Sequence, residues 1–198
     1  MSRCSKEKVI KAATKIFAKK GFDGTSMREI AKAAHLTKPM IYYHFKNKED
    51  LYLYILENSI STLSKKVEKI TSEDREPEEI IRNVVKIYVK YFKEEENIFR
   101  IIHREIISRS RYIGILTDKY FLNIHRSISN VLYKGIEKGV FKKIDKKMAT
   151  TSIIGIIAFY FARWRLIGQS SSKKLVTEKE INSLDSHIVK LLMSDQEA

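Results

Sequence analysis

Apolar side chains recur along this chain at helical spacing almost from its start. Between Lys6 and Lys20, Val9, Ala13, Ile16 and Phe17 fall on one side and Lys8, Lys11, Lys15 and Lys19 on the other, which predicts an amphipathic helix with a basic outer face. "GFDGTS" then supplies a glycine stop and two hydroxyl N-caps, with Glu29 three residues after Ser26 as a capping-box partner. A second, short helix buries Met27, Ile30, Ala31 and Ala34. "AHL" makes a turn, Thr37 caps, and Pro39 in the first turn opens a third helix over about Lys38 to Phe45. At 100° per residue Ile41 and Phe45 lie about 40° apart and face inward, so Pro39, Tyr43 and Lys46 point away, flanked by Met40 and Tyr42.

The pattern continues without strands. Asn47 caps a fourth helix with Leu51, Tyr54, Ile55 and Leu63 inward, and Pro77 opens a fifth through "IIRNVVKIYVKYF". Helices follow over Asn97 to Ser108, Leu116 to Lys138, Lys146 to Ile167 and Thr177 to Met193, nine in all. The fold class predicted is all-α.

Composition supports this, since 7 Gly and 2 Pro in 198 residues leave little turn punctuation. Charge changes the picture more. The net +14 points to a polyanionic partner, and residues 1–48 hold 12 basic against 3 acidic side chains, net +9. The single cysteine, Cys4, forms no internal disulfide and has no zinc-type neighbours, which fits a reducing cytoplasm. "MATTSIIGIIAFYFA" from Met148, 15 residues without charge, is too short to span a membrane and reads as a buried helix. No membrane partner, metal or cofactor is expected. Without GxSxG, P-loop, HExxH or dinucleotide fingerprints, and with five scattered histidines, the chain does not read as an enzyme.

Two helices joined by a tight turn, the second with polar and aromatic groups at its amino end, make a helix-turn-helix arrangement. A recognition helix must spare its outer side chains from the core to reach base edges, while basic and hydroxyl groups hold phosphates. At this point "KVIKAATKIFAKKGFDGTSMREIAKAAHLTKPMIYYHFKNKEDLY" resembles the DNA-binding domain of the tetracycline-repressor (TetR) family of bacterial regulators. The join "F-x-x-x-G-F-x-x-T-S", the "I-A-x-A-A" helix and the "I-Y-Y-H-F-K-N-K-E-D-L" run carry the likeness.

That resemblance implies that Lys38, Pro39, Met40, Tyr42, Tyr43 and His44 meet double-stranded operator DNA, with Thr25, Ser26, Arg28 and Lys48 on phosphates or neighbouring bases. Thr37 and Lys46 complete the expected set. Residues 1–47 would be the DNA-binding domain and 48–198 a helical ligand-binding and dimerisation domain. His35 stands where the family's turn usually has glycine, so mild strain at positive φ is expected there.

For the second domain the resemblance implies an apolar inducer pocket, with Tyr88, Tyr91, Phe92, Phe99, Ile102, His103, Ile106, Phe121 and Trp164 as candidates, although any single aromatic here can simply fill the core. On the sixth helix His103 or Glu105 can enter a mostly apolar cavity, while Arg100 and Arg104 face water. Small residues Gly155, Ala158 and Ala162, beside Phe159, allow close helix approach, and Leu184, Ile188 and Leu191 extend a surface for a homodimer. The expected function is a ligand-responsive repressor. A non-specific architectural DNA-binding protein and a ligand-independent regulator are the alternatives.

Overall fold

The computed structural model describes the backbone of residues 2–168 and 177–193 and the side chains of 4–163 and 177–193. Helices α1 (Ser2–Lys20), α2 (Met27–Ala34), α3 (Lys38–Tyr42), α4 (Lys48–Thr71), α5 (Pro77–Glu94) and α6 (Glu96–Ile107) follow in order. Then come α7 (Arg111–Leu116), α8 (Leu122–Glu137), α9 (Lys146–Gly168) and α10 (Glu178–Leu192). A π-helical turn over Thr117–Phe121 joins α7 to α8 without a break, so the described residues hold nine separate helices, as the apolar periodicity predicts. Extended pairing among the described residues is limited to one bridge, Phe141 with Met193.

α1 begins at Ser2 rather than Lys6, and two further helix boundaries differ from the pattern reading. The seventh helix begins at Arg111 rather than Leu116, because Ser110 takes up the extended N-cap conformation behind the positive-φ residue Arg109. The recognition segment is helical only to Tyr42, not Phe45. Phe45 still donates its N–H to Ile41 O, but Lys46 N–H turns to Asp50 Oδ2 and Asn47 Oδ1 caps Asp50, which starts α4 in the space of two residues.

Packing divides the chain into two compact units. The first comprises residues 1–61 and 95–118. Its core is Val9, Ala13, Phe17, Ile30, Ile41, Phe45, Leu51, Tyr52 and Ile55, joined by Ile101 and Leu116. The Tyr52 ring meets Phe17 at 4.7 Å, Phe22 at 5.0 Å and Tyr112 at 5.1 Å, so four rings weld α1, α4 and α7 together. The apolar pattern put Tyr54 in the core, but that ring lies half-buried under the Lys6 ammonium at 4.2 Å, and Tyr52 is the residue inside.

The second unit comprises residues 62–94 and 119–198. Here α5 packs against α8, α9 and α10, and α8 against α9, over Ile81, Val84, Val85, Ile128, Leu132, Ile153, Ile157 and Ile188. Asp185 is buried in this unit, with Arg82 and Lys86 each 3.3 Å from its carboxylate. The apolar α9 is not buried all round. One face turns Ala149, Ile153, Ile157 and Phe161 inward, while Met148, Ser152, Gly155 and Phe159 line an exposed stripe.

Candidate nucleic-acid interface

α2 owes its position to Met27, Ile30, Ala31 and Ala34, which are buried in the first unit. Ser26 caps it, its Oγ accepting the Glu29 N–H at 3.2 Å. The Glu29 carboxylate pairs with Lys20 Nζ at 2.5 Å, so the box predicted from Ser26 and Glu29 is made in its hydroxyl half, with the carboxylate spent on α1. At the far end His35 adopts φ 55° and ψ 43°, donating its N–H to Ala31 O and Lys32 O.

That left-handed cap sharpens the turn and sends the chain into α3, as expected for a position where the family carries glycine. His35→Gly is expected to raise stability by about 0.5 kcal/mol in urea unfolding, the relief of left-handed strain less the entropy of a freer unfolded chain. A loss of stability would show that the histidine carries no strain.

α3 has one inward anchor, Ile41, with Phe45 just beyond it, and both are buried. Everything predicted to face DNA from this segment, His44 apart, faces outward: Thr37, Lys38, Pro39, Met40 and Lys46 reach solvent, Tyr42 is 49% exposed and Tyr43 is 78% exposed. Ser26 and Arg28 at the start of α2 are exposed as well. His44 is half-buried. Its Nε2 shares a 2.7 Å hydrogen bond with Ser5 Oγ, and the Tyr43 ring meets its edge at 5.0 Å. The amino end of α1 is thereby tied to the end of the recognition segment.

Two predicted phosphate ligands have other work. Thr25 is only 3% exposed and its hydroxyl donates to Gly21 O at 2.7 Å. Lys48 Nζ donates to Phe22 O at 2.8 Å and Thr25 O at 3.0 Å, and sits 4.2 Å over the Phe22 ring. Both hold the α1–α2 turn.

A family model described as bacterial regulatory proteins, tetR family, matches residues 9–55, and one described as tetracyclin repressor-like, C-terminal domain, matches residues 77–192. The chain belongs to the TetR family. Among its relatives are the uncharacterized HTH-type transcriptional regulator YerO of Bacillus subtilis, 28% identical over 78% of this chain and 54% of that protein. Another is the biofilm operon icaADBC negative transcriptional regulator IcaR of Staphylococcus aureus strain Newman, 26% identical over 94% of this chain and 96% of its own. The chain thus spans about half the length of YerO and nearly all of IcaR. In fold it matches the TetR-family regulator PfmR of Thermus thermophilus, with a TM-score of 0.78 at 23% identity over 92% of this chain and 97% of that one.

The other sites expected of a TetR-family chain are placed less simply. Of the inducer candidates, Tyr88, Tyr91, Phe92 and Phe121 belong to the second compact unit, whereas Phe99, Ile102, His103 and Ile106 belong to the first. Tyr88, Tyr91 and Phe92 are buried, and Phe92 meets Phe161 at 5.8 Å. Phe99 and Ile102 are buried too, His103 stacks on Phe99 at 5.7 Å, and Ile106 is exposed. The Trp164 side chain lies outside the described residues.

Glu105 is buried but not free for a ligand, because Tyr52 Oη donates to its Oε1 at 2.6 Å and Ser110 Oγ to its Oε2. Arg104 is exposed, as expected, but it also donates to two carbonyls of α1. An open groove of about 600 Å³ beside α5 and α10 is lined by Lys86, Lys90, Lys93, Glu94, Glu178, Ile181 and Asn182, a charged lining that contains no inducer candidate.

Of the dimer candidates, Gly155 and Phe159 are exposed, Ala158 and Ala162 half-buried and Leu191 exposed. Leu184 and Ile188 are buried within their own unit, where α10 packs against α5, which corrects their assignment to the surface. Sequence reasoning also missed Ser5, Tyr52 and Arg104. Each acts through a partner at least 39 residues away, and no local pattern marks such a pairing.

Proposed function

We propose that this chain is a homodimeric transcriptional repressor that binds a palindromic DNA operator and leaves it when a small, mostly apolar molecule binds. The observation that carries DNA binding is the two-faced recognition segment, with Ile41 and Phe45 buried and Lys38, Met40, Tyr42 and Tyr43 projecting into solvent. Side chains so placed are spared by the core and can reach base edges in a major groove. The +9 charge of residues 1–48 supplies attraction for phosphates. Residues 1–47 carry this contact surface, and 48–198 carry response and assembly.

The dimer reading is supported by the exposed stripe on α9, where Phe159 is 70% exposed beside Gly155. Two copies paired there would bury apolar surface that one chain leaves wet, and would set two recognition segments about 34–36 Å apart, one turn of DNA. Repression is the role of the relative IcaR, a negative transcriptional regulator, carried to this chain. The inducer reading is supported only by the aromatic content of the carboxy-terminal helices, Tyr88, Tyr91, Phe92 and Phe121 among them.

The deciding experiment is binding to DNA upstream of the protein's own gene against scrambled duplex, across 50–200 mM salt. A palindromic footprint with about 10³-fold preference is expected. Tyr43→Ala is expected to cost about 1–3 kcal/mol of operator affinity, roughly 5- to 150-fold, with little change in thermal stability because the ring is exposed. The exposed row Lys8, Lys11, Lys15 and Lys19 on α1 favours a second reading, a non-specific DNA-binding protein. Equal affinity for both duplexes would select it.

A further inference from the structure

We propose that Arg104, far from the recognition segment in sequence, is a positioning residue for DNA binding: its guanidinium fixes the α1–α2 turn from which the helix-turn-helix hangs. The proposal rests on the reading of α2 and α3 as the DNA-contacting pair.

α1 ends at Lys20; Phe17 O still accepts the Gly21 N–H at 2.8 Å, but the carbonyls after it have no further helical turn to bond. Arg104 of α6 reaches two carbonyls at this end, its Nη1 donating to Phe17 O at 3.0 Å as a second donor beside Gly21 N–H and its Nη2 donating to Ala18 O at 3.1 Å. One rigid, planar cation thus bridges two successive carbonyls at the negative end of a 19-residue helix, a fork that a lysine cannot reproduce. The same guanidinium lies against Gly21, where a Cβ would stand 3.1 Å from Nη1. Gly21 has φ 78° and begins the turn, and its carbonyl is the one that Thr25 holds.

α6 is itself anchored directly after this contact. Glu105 takes hydrogen bonds from Tyr52 of α4 and from Ser110, and Arg111 at the start of α7 pairs with Glu49 of α4 at 2.6 Å. Tyr112 adds a ring 5.4 Å from Phe22 inside the turn. Residues 95–118 therefore pack as part of the first compact unit, although the match to the family's amino-terminal model stops at residue 55. A shift of α6 by about an ångström would either break both Arg104 hydrogen bonds or drag the end of α1 with it, because such bonds weaken steeply with distance and angle. Operator affinity becomes a function of where α6 stands.

The test uses full-length R104K, R104Q and R104A. Operator affinity is measured across 50–200 mM salt at a temperature where circular dichroism shows each variant fully folded, alongside amide hydrogen exchange of the segment from residue 17 to 26. R104Q and R104A are expected to bind about ten-fold or more weakly, with R104K between them and wild type, and with faster exchange in the turn. The salt slope is expected to stay unchanged, since no phosphate contact is removed.

Affinity within about two-fold of wild type for fully folded R104Q would overturn the proposal, as would unaltered exchange in the turn. A slope smaller by about one would also overturn it, by making Arg104 a phosphate ligand. Should R104A fail to fold, R104K and R104Q decide. Should wild type show no operator preference, the regulator reading fails by itself and the exchange measurement still judges Arg104.

Discussion

Raising the pH from 10 to 12 is expected to remove about 5 kcal/mol of folding stability through two tyrosines, about half from each compact unit. Tyr52 belongs to the first unit and Tyr88 to the second. Burial pushes the Tyr52 phenol well above its ordinary range, and its hydrogen bond to Glu105 adds to the rise. Burial alone does the same for Tyr88.

In the unfolded chain both phenols lose their protons near pH 10, while in the folded chain they keep them to higher pH. The folded state then binds more protons than the unfolded state. Stability is therefore fully present below about pH 10 and falls by about 1.4 kcal/mol per pH unit for each tyrosine as pH rises above it. Urea unfolding from pH 8 to 12 measures the slope. Tyr88→Phe, which keeps the ring and removes the titrating group, is expected to flatten it by one tyrosine's share. An unchanged slope would mean that Tyr88 ionises as freely in the fold as outside it.

Gly135→Ala is expected to destabilise the second unit by about 1–3 kcal/mol, although alanine normally favours a helix by about 1 kcal/mol over glycine. Gly135 lies on α8, and its carbonyl accepts both the Val140 N–H at 2.9 Å and the Phe141 N–H at 3.1 Å as the chain doubles back. That reversal lays the Phe141 ring on the glycine. A Cβ there would stand 2.2 Å from Cδ2 and 2.4 Å from Cε2 of a ring that is 2% exposed.

The ring cannot yield without leaving its site, where Lys142 N–H also bonds Leu192 O and ties the reversal to α10. Chemical unfolding of four proteins tests the cause: wild type, G135A, F141A and the double variant. In the F141A background the added methyl has nothing to strike, so its cost is expected to vanish and the helix preference of about 1 kcal/mol to emerge. Equal costs in both backgrounds would mean that something other than the ring opposes it.

Helix by helix, local pattern was a good guide. Three- and four-residue apolar spacing, few glycines and hydroxyl caps located nearly every helix. Ordered motifs from Val9 to Tyr52 carried the family likeness, which the family models then matched over residues 9–55 and 77–192. The outward face of α3 was legible for the same reason: with Ile41 and Phe45 fixed inward, helical geometry leaves Tyr43 no other direction. The left-handed turn at His35 was legible too, through the family resemblance, in which glycine usually stands at that position.

What the sequence by itself determined was the set of helices, the family and the exposed recognition face, because each depends on residues a few positions apart. Tertiary structure alone decided which polar groups are already spent. Thr25 and Lys48 read as phosphate ligands until their bonds to Gly21, Phe22 and Thr25 appear, and Arg104, exposed as the pattern reads it, turns out also to hold the end of α1. It also decided that Tyr52 rather than Tyr54 fills the core, that Leu184 and Ile188 are buried where α10 meets α5, and that residues 95–118 pack with the first unit. The physical reason is common to all of these. A lysine, arginine or threonine carries donors that serve equally for a phosphate or a backbone carbonyl, and only the long-range packing of helices determines which acceptor lies within about 3 Å.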